Sequence, residues 1–290
     1  MTAQHLAFIG LGNMGLPMAL RLVAAGHRVT GHDVDAGAVA RAQEAGLTTA
    51  GSAVDAVDGT AIVVLMLPNS EVVEAVVDGL HDVLPTGTTV VDMSSSDPMR
   101  TRALARSLAE RGVALTDAPV SGGVVGAMAG TLTVMVGGEP EAVERVSGLL
   151  AELGTVKPVG GPGAGHALKA LNNLLSGVHL LASSEAIEAG RRFGLEYDVM
   201  LDVINTSTGR SWSTQYKYPT FVVPETFDSG FSLTLLVKDM RTASSLCEEV
   251  DLPARLGAAA TALWAEAEDE LAPGSDHTAI APYVRDKDAS

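Results

Sequence analysis

His5-Leu6-Ala7-Phe8-Ile9-Gly10-Leu11-Gly12-Asn13-Met14-Gly15 decides the fold of this chain. Five residues with strand character run without a break into G-x-G-x-x-G, and helical spacing follows over residues 14–25. Each glycine has its own task in such a turn. The first lets the chain turn tightly, the second lets backbone approach a pyrophosphate, and the third lets helix and strand pack closely. N–H groups at the start of the helix then face the phosphates, where the helix dipole favours negative charge. A second apolar strand, Arg28-Val29-Thr30-Gly31-His32, ends at Asp33. That carboxylate stands about twenty residues past the glycines, where it can accept a hydrogen bond from a ribose 2′-OH. Strand, glycine turn, helix and acid in this order point to a bound dinucleotide.

The rest of the first half repeats the pattern. Residues 61–67 (AIVVLML) form a continuous apolar run, as expected of a parallel strand buried on both faces. Further strands are expected over 88–93, 114–118, 131–136 and 156–159, with helices over 71–80, 97–111 and 139–153. Alternating units of this kind predict an α/β fold with a doubly wound, mostly parallel sheet. Past Gly160-Gly161-Pro162-Gly163 the character changes. Residues 164–192 lack proline and keep helical spacing, predicting one long joining helix. Helices are expected again over 197–205, 233–250 and 253–268. The predicted organisation is therefore a Rossmann-type domain over 1–161 and an all-helical domain over 162–290. Residues 286–290 are expected to fray.

Composition narrows the possible partners. The chain has 290 residues, 47% of them hydrophobic and 19% charged, so it can build a large core. Its formal net charge of −16 argues against a nucleic-acid partner, which would need clustered Lys and Arg. The single cysteine, Cys247, excludes an intrachain disulfide and reads as a small buried residue. No run is long and apolar enough to span a bilayer, and no cleavable leader is visible, so a cytoplasmic protein with no membrane partner is expected. The seven histidines form no H-x-x-x-H pair, and no metal is expected.

Several stretches could carry chemistry. Leu67-Pro68-Asn69 and Ser94-Ser95-Ser96 follow expected strands, where ligands of nucleotide-binding sheets sit. They read equally well as cofactor contacts or as ordinary turn residues. Ser121-Gly122-Gly123, within Asp117-Ala118-Pro119-Val120-Ser121-Gly122-Gly123, offers a hydroxyl and bare amides suited to a carboxylate, or simply a glycine-rich connection. Lys169 and Asn173 are spaced i, i+4 and share one face of the long helix. A half-buried lysine there would have its charged form disfavoured, which suits a general acid/base. The competing reading is a snorkelling Lys beside a surface Asn. Lys238 and Asp239 are adjacent on a helix, so each is expected to need a separate partner.

Four separated motifs resemble the β-hydroxyacid dehydrogenases, and within them the 3-hydroxyisobutyrate dehydrogenases. They are Phe8-Ile9-Gly10-Leu11-Gly12-Asn13-Met14-Gly15-Leu16-Pro17-Met18-Ala19; Asp117 to Gly123 with Gly126-Ala127 and Gly130-Thr131-Leu132; Gly165-His166-Ala167-Leu168-Lys169-Ala170-Leu171-Asn172-Asn173; and Lys238-Asp239. The resemblance covers nearly the whole chain. It implies an enzyme that interconverts a small 3-hydroxy acid and its semialdehyde with NAD. Lys169 would be the catalytic acid/base. Ser121, Gly122 and Gly123 would hold the substrate carboxylate, and Asn173 would position the substrate. Gly10, Leu11, Gly12, Asn13, Met14, Gly15, Asp33, Leu67, Pro68, Ser95 and Lys238 would contact the dinucleotide. A homo-oligomer, dimer or tetramer, is implied through the helical domain.

Asp33 followed by Val34-Asp35, rather than by Asn-Arg, favours NAD over NADP. The stretch Thr206-Ser207-Thr208-Gly209-Arg210-Ser211-Trp212 resembles the segment near the substrate pocket in 3-hydroxyisobutyrate dehydrogenases, while a loop followed by a helix N-cap remains open as a reading of its residues. Residues 215–229 look shorter than in mammalian-type members, which leaves the hydroxy acid open. Imine reductases share the fold but usually carry another residue where Lys169 stands and prefer NADP. A non-catalytic dinucleotide-binding module would typically have lost Lys169. The helical domain of 6-phosphogluconate dehydrogenase is far longer.

Overall fold

The computed structural model describes residues 3–287. The chain divides into two compact units, residues 1–169 and 170–290. The expected boundary at 161/162 falls in the loop that enters the long helix, whereas the units divide inside that helix.

The described residues of the first unit form nine strands: β1 (His5–Ile9), β2 (Arg28–His32), β3 (Thr48–Thr49), β4 (Ile62–Leu65), β5 (Thr89–Asp92), β6 (Ala114–Asp117), β7 (Val120–Ser121), β8 (Leu132–Gly137) and β9 (Gly154–Gly160). Their order is β3-β2-β1-β4-β5-β6-β8-β7, with β9 also paired to β8. Strands β1 to β6 are parallel to one another, β8 runs antiparallel to β6 and β7, and β9 runs parallel to β8. The helices between them are α1 (Gly15–Ala24), α2 (Ala36–Glu44), α3 (Ala53–Val57), α4 (Ser70–Gly79), α5 (Pro98–Ala109), α6 (Gly123–Ala129) and α7 (Pro140–Ala151). Side chains alternate across the sheet, as a period of two requires. Leu6 and Phe8 of β1, with Ile62 and Val64 of β4, join one core; Ala7 and Ile9, with Val63 and Leu65, join the other. Both faces are therefore buried, which is why β4 is apolar throughout.

α8 (Ala164–Phe193) starts in the first unit and continues into the second. The second unit adds α9 (Tyr197–Asn205), a π-helix over Ser213–Val222, α10 (Leu233–Glu249), α11 (Arg255–Glu270), a short 3-10 turn over His277–Ala279 and α12 (Ile280–Lys287). Its core gathers Leu180, Leu236, Val237, Met240 and Trp264, and the Trp264 indole donates to the Gly177 carbonyl at 3.2 Å. Cys247 is buried and unpaired, as expected. Asp286 and Lys287, expected to fray, belong to α12; residues 288–290 of that expected tail lie outside the described residues. Among the described residues, no helix is long and apolar enough to cross a membrane.

Glu188 of α8 shows how this unit holds a buried carboxylate. It accepts from Arg191 Nε and Nη2, both at 2.8 Å, and from Arg192 Nε at 2.9 Å. The Arg191 hydrogen bonds lead in pulling its carboxyl down to about 2. Because the folded state holds the proton more weakly than the unfolded chain, this contribution is complete above the ordinary carboxylate range and fades as pH falls from about 4.5 toward 2. Allowing for the half-exposed guanidinium groups, it is worth about 2 kcal/mol. Glu188→Gln should therefore lower the thermal midpoint at pH 7 and flatten its decline between pH 5 and pH 3. Parallel wild-type and variant curves over that range would refute the assignment.

Candidate functional site

The turn between β1 and α1 has the geometry its glycines predict. Gly10 lies at φ +99°, and a Cβ there would strike the Met66 carbonyl oxygen. A Cβ on Gly15 would strike the Gly10 carbonyl oxygen and crowd the Phe8 ring, so helix and strand need this glycine to approach. Gly12 is exposed and faces open space, with nothing within 4 Å of where its Cβ would be. Met14, at the start of α1, makes no side-chain cap. The first amide groups of α1 therefore remain suited to an anion. Leu11 is buried and Asn13 exposed beside this turn. Asp33 closes it: its carboxylate accepts from Leu11 N–H at 2.7 Å and from Asp35 N–H at 2.8 Å. Two carboxylate oxygens carry about four lone-pair sites, so these bonds leave capacity for a ribose hydroxyl. The open side at Gly12, the uncapped helix and the fixed acid fit a dinucleotide.

The loops after β4 and β5 are tied to one another. Leu67 N–H donates to Ser94 Oγ at 2.9 Å, while Ser94 N–H and Ser96 Oγ donate to the two oxygens of Asp92, at 2.9 and 2.7 Å. This fixes the loops carrying Pro68 and Ser95, which are exposed and half-buried respectively. Ser121 ends β7, pairing with Thr133 of β8, and Gly122 and Gly123 then follow at φ +134° and +62°.

Lys169 is half-buried on α8. The turn that begins this helix is held by Asp117, whose oxygens accept from Gly163 N–H at 2.8 Å and from His166 N–H at 2.9 Å. His166 is itself buried, with Nδ1 2.8 Å from Thr101 Oγ1 and Nε2 3.7 Å from Asp92 Oδ2. Asp92, Asp117 and His166 thus form a buried support; Asp117 and His166 fall within the quoted motifs, Asp92 does not, and no spacing announces the three together.

In the second unit Asn173 is buried, not a surface residue, and its Nδ2 donates to Asp239 Oδ2 at 2.6 Å. Asp239 also pairs with its neighbour, Lys238 Nζ to Oδ1 at 3.3 Å. The expectation that adjacent residues on a helix could not meet was wrong here, because the long lysine stem curls back to the carboxylate. Lys217, unremarked in the sequence, is a buried cation. Its Nζ donates to Ser176 Oγ at 2.8 Å, and burial pushes its pKa down to about 8. No local pattern marks it: it stands between two tyrosines in a mixed run, and only the fold buries it. Among the described residues, no group of three or more His, Cys, Asp or Glu side chains is placed to hold a metal ion.

Residues 5–161 match the NAD binding domain of 6-phosphogluconate dehydrogenase, and residues 163–284 match the NAD-binding domain of NADP-dependent 3-hydroxyisobutyrate dehydrogenase. The 3-hydroxyisobutyrate dehydrogenase of Pseudomonas aeruginosa is 36% identical over 298 aligned positions, covering 98% of this chain and 99% of that protein. The chain belongs to the β-hydroxyacid dehydrogenase family. As a β-hydroxyacid dehydrogenase it is an oxidoreductase, and NAD is its cofactor. The 2-(hydroxymethyl)glutarate dehydrogenase of Eubacterium barkeri is 37% identical, covering 89% of this chain and 87% of its own length. Among solved structures, Mycobacterium tuberculosis 3-hydroxyisobutyrate dehydrogenase with L-serine superposes with a TM-score of 0.92 at 33% identity, covering 98% of this β-hydroxyacid dehydrogenase and all of that chain.

Proposed function

We propose that this enzyme interconverts 3-hydroxyisobutyrate, or a small 3-hydroxy acid like it, with the corresponding semialdehyde, using Lys169 as the acid/base. What carries the reading is the near full-length similarity to a 3-hydroxyisobutyrate dehydrogenase, together with a lysine held half-buried on a helix whose first turn is fixed by a buried carboxylate.

NAD supplies the hydride acceptor when bound; the protein supplies position and proton transfer. Ser121 Oγ and the amides of Gly122 and Gly123 hold the substrate carboxylate. Asn173, its side chain anchored by Asp239, orients the substrate. Fixing the acid in this way converts an encounter into an oriented approach. Neutral Lys169 Nζ takes the hydroxyl proton as the alcohol is oxidised. In the reverse direction the Lys169 ammonium returns that proton to the carbonyl oxygen as it becomes an alcohol. Pro68, Ser95 and Lys238 join Leu67 and residues Gly10 to Gly15 in contacting the dinucleotide, and the enzyme works as a homo-oligomer.

The test follows the near-ultraviolet absorbance of reduced NAD during incubation with 3-hydroxyisobutyrate, serine, glycerate, 3-hydroxypropionate, 4-hydroxybutyrate and threonate, at neutral to alkaline pH. Turnover of a 3-hydroxy acid with NAD supports the reading. Silence across the panel, with NAD bound, refutes it. Asp33 should set the cofactor preference, because its charge repels a 2′-phosphate while its oxygen accepts from a 2′-OH. Asp33→Ala should weaken NAD about tenfold and narrow the preference over NADP. A fluorescence titration that finds an unchanged NAD to NADP ratio would reduce Asp33 to a backbone clasp for Leu11.

A further inference from the structure

Lys217 is 7% exposed, and Ser176 Oγ is the one hydrogen-bond partner of its Nζ among the described residues. An ammonium has three donors, so two remain unused. No carboxylate oxygen of the described residues lies within 4.0 Å of it. Asp276, whose charge acts on it through space, is already committed. That carboxylate accepts from Ser229 Oγ at 2.7 Å, from Thr278 N–H at 2.9 Å and from Thr278 Oγ1 at 2.6 Å. His277 adds a second unanswered group: its Nδ1 faces the Phe231 carbonyl at 3.0 Å, while its buried Nε2 has no partner among the described residues. Proteins seldom bury a cation without a counter-charge, because the desolvation is not recovered.

The location gives this unpaired cation a meaning. Ser176 follows Asn173 by three residues on α8, so the two are neighbours on one helix face, about 5–6 Å apart at Cβ. Asn173 is the residue read above as positioning the substrate. Lys217 is presented from the π-helix over Ser213–Val222, whose exit is marked by an i→i−5 bond from Val223 N–H to the Tyr218 carbonyl at 2.8 Å. Such widened turns are frequent at functional sites.

We propose that the Lys217 ammonium receives a second carboxylate of the substrate, so that the preferred hydroxy acid is a dicarboxylate. This rests on the reading of Asn173 as a substrate-positioning residue. A carboxylate about two or three carbons from the group held at Asn173 spans one helical turn and reaches Nζ. The bond formed is charge-assisted on both sides and supplies the counter-ion the buried lysine lacks. A 3-hydroxyisobutyrate whose methyl is replaced by a carboxymethyl group, 2-(hydroxymethyl)succinate, is the simplest substrate of this class.

The holoenzyme with NAD should bind methylsuccinate at least about tenfold more tightly than isobutyrate in a calorimetric titration, since the two differ by one carboxylate. Lys217→Met keeps the stem length and removes the charge, and should erase that difference. The same change should lower the ratio of kcat/KM for 2-(hydroxymethyl)succinate over 3-hydroxyisobutyrate by about tenfold or more. Its thermal midpoint should be no lower than that of the wild type, because an unpaired buried charge has been removed. Equal binding of the two acids by the wild type, or a difference that survives Lys217→Met, overturns the proposal. If neither hydroxy acid is oxidised yet methylsuccinate binds through Lys217, the hydroxy-acid reading fails and the anion site stands. If 3-hydroxyisobutyrate is oxidised but methylsuccinate binds no better than isobutyrate, the reading stands and the anion site fails.

Discussion

Lys169→Ala is expected to lower kcat by about 10²- to 10⁴-fold, the usual contribution of a positioned acid/base, while NAD binding stays within about twofold of the wild type. The change removes a proton acceptor but none of the groups of the β1–α1 turn. KM should move little, because the lost interaction belongs to the transition state. Small primary amines added to the assay should restore part of the rate if the missing function is proton transfer, and should do nothing if the lysine only supports the helix. The structure also holds a rival. Lys217, with its pKa pushed down to about 8, is a lysine able to lose its proton near neutral pH. Turnover that survives in Lys169→Ala but collapses in Lys217→Met would transfer the acid/base role to Lys217. A steady-state comparison of the two variants, with NAD affinity measured beside each, separates these outcomes.

The dinucleotide turn was legible from sequence because each glycine there answers a separate steric demand. Those demands reappear as a φ of +99° at Gly10, a collision at Gly15 and open space at Gly12. β4 was legible because a strand buried on both faces leaves no room for polar residues. α8 was legible because nothing within residues 164–192 interrupts its spacing. The π-helix over Ser213–Val222 was not, since it carries Pro219 and its i→i−5 bonding breaks the period on which helix reading depends. Lys217 was missed for the same reason: without the period, no face could be assigned to it. Asn173 was readable only as one of two possibilities, and it is Asp239, sixty-six residues away, that decides the matter by burying its amide. The pairing of Lys238 with Asp239 shows the limit of spacing rules for long side chains. They locate Cβ atoms, and a lysine Nζ lies several bonds beyond.

Asp117→Ala is expected to have the largest effect on stability. Asp117 opens the stretch that leads to Ser121-Gly122-Gly123, and its side chain is fully buried and caps another element. Its oxygens take the amides of Gly163 and His166 at the start of α8. Glycine is needed on either side: a Cβ on Gly137 would lie 2.7 Å from one oxygen, and a Cβ on Gly165 2.8 Å from the other. Alanine would leave two buried N–H groups unsatisfied and remove two charge-assisted bonds, at a cost of about 3–5 kcal/mol. For a chain of this size that lowers the thermal midpoint by about 10 °C, measured by circular dichroism with NAD absent. Asp117→Asn separates charge from shape. Its amide oxygen can accept from one of the two N–H groups while its NH₂ opposes the other, so its loss should fall between wild type and alanine. Because the cap fixes the first turn of the helix that carries Lys169, either variant should also reduce kcat at temperatures where it remains folded. A midpoint within about 2 °C of the wild type for Asp117→Ala would mean that α8 holds its first turn without this carboxylate, and that the position of Lys169 has another origin.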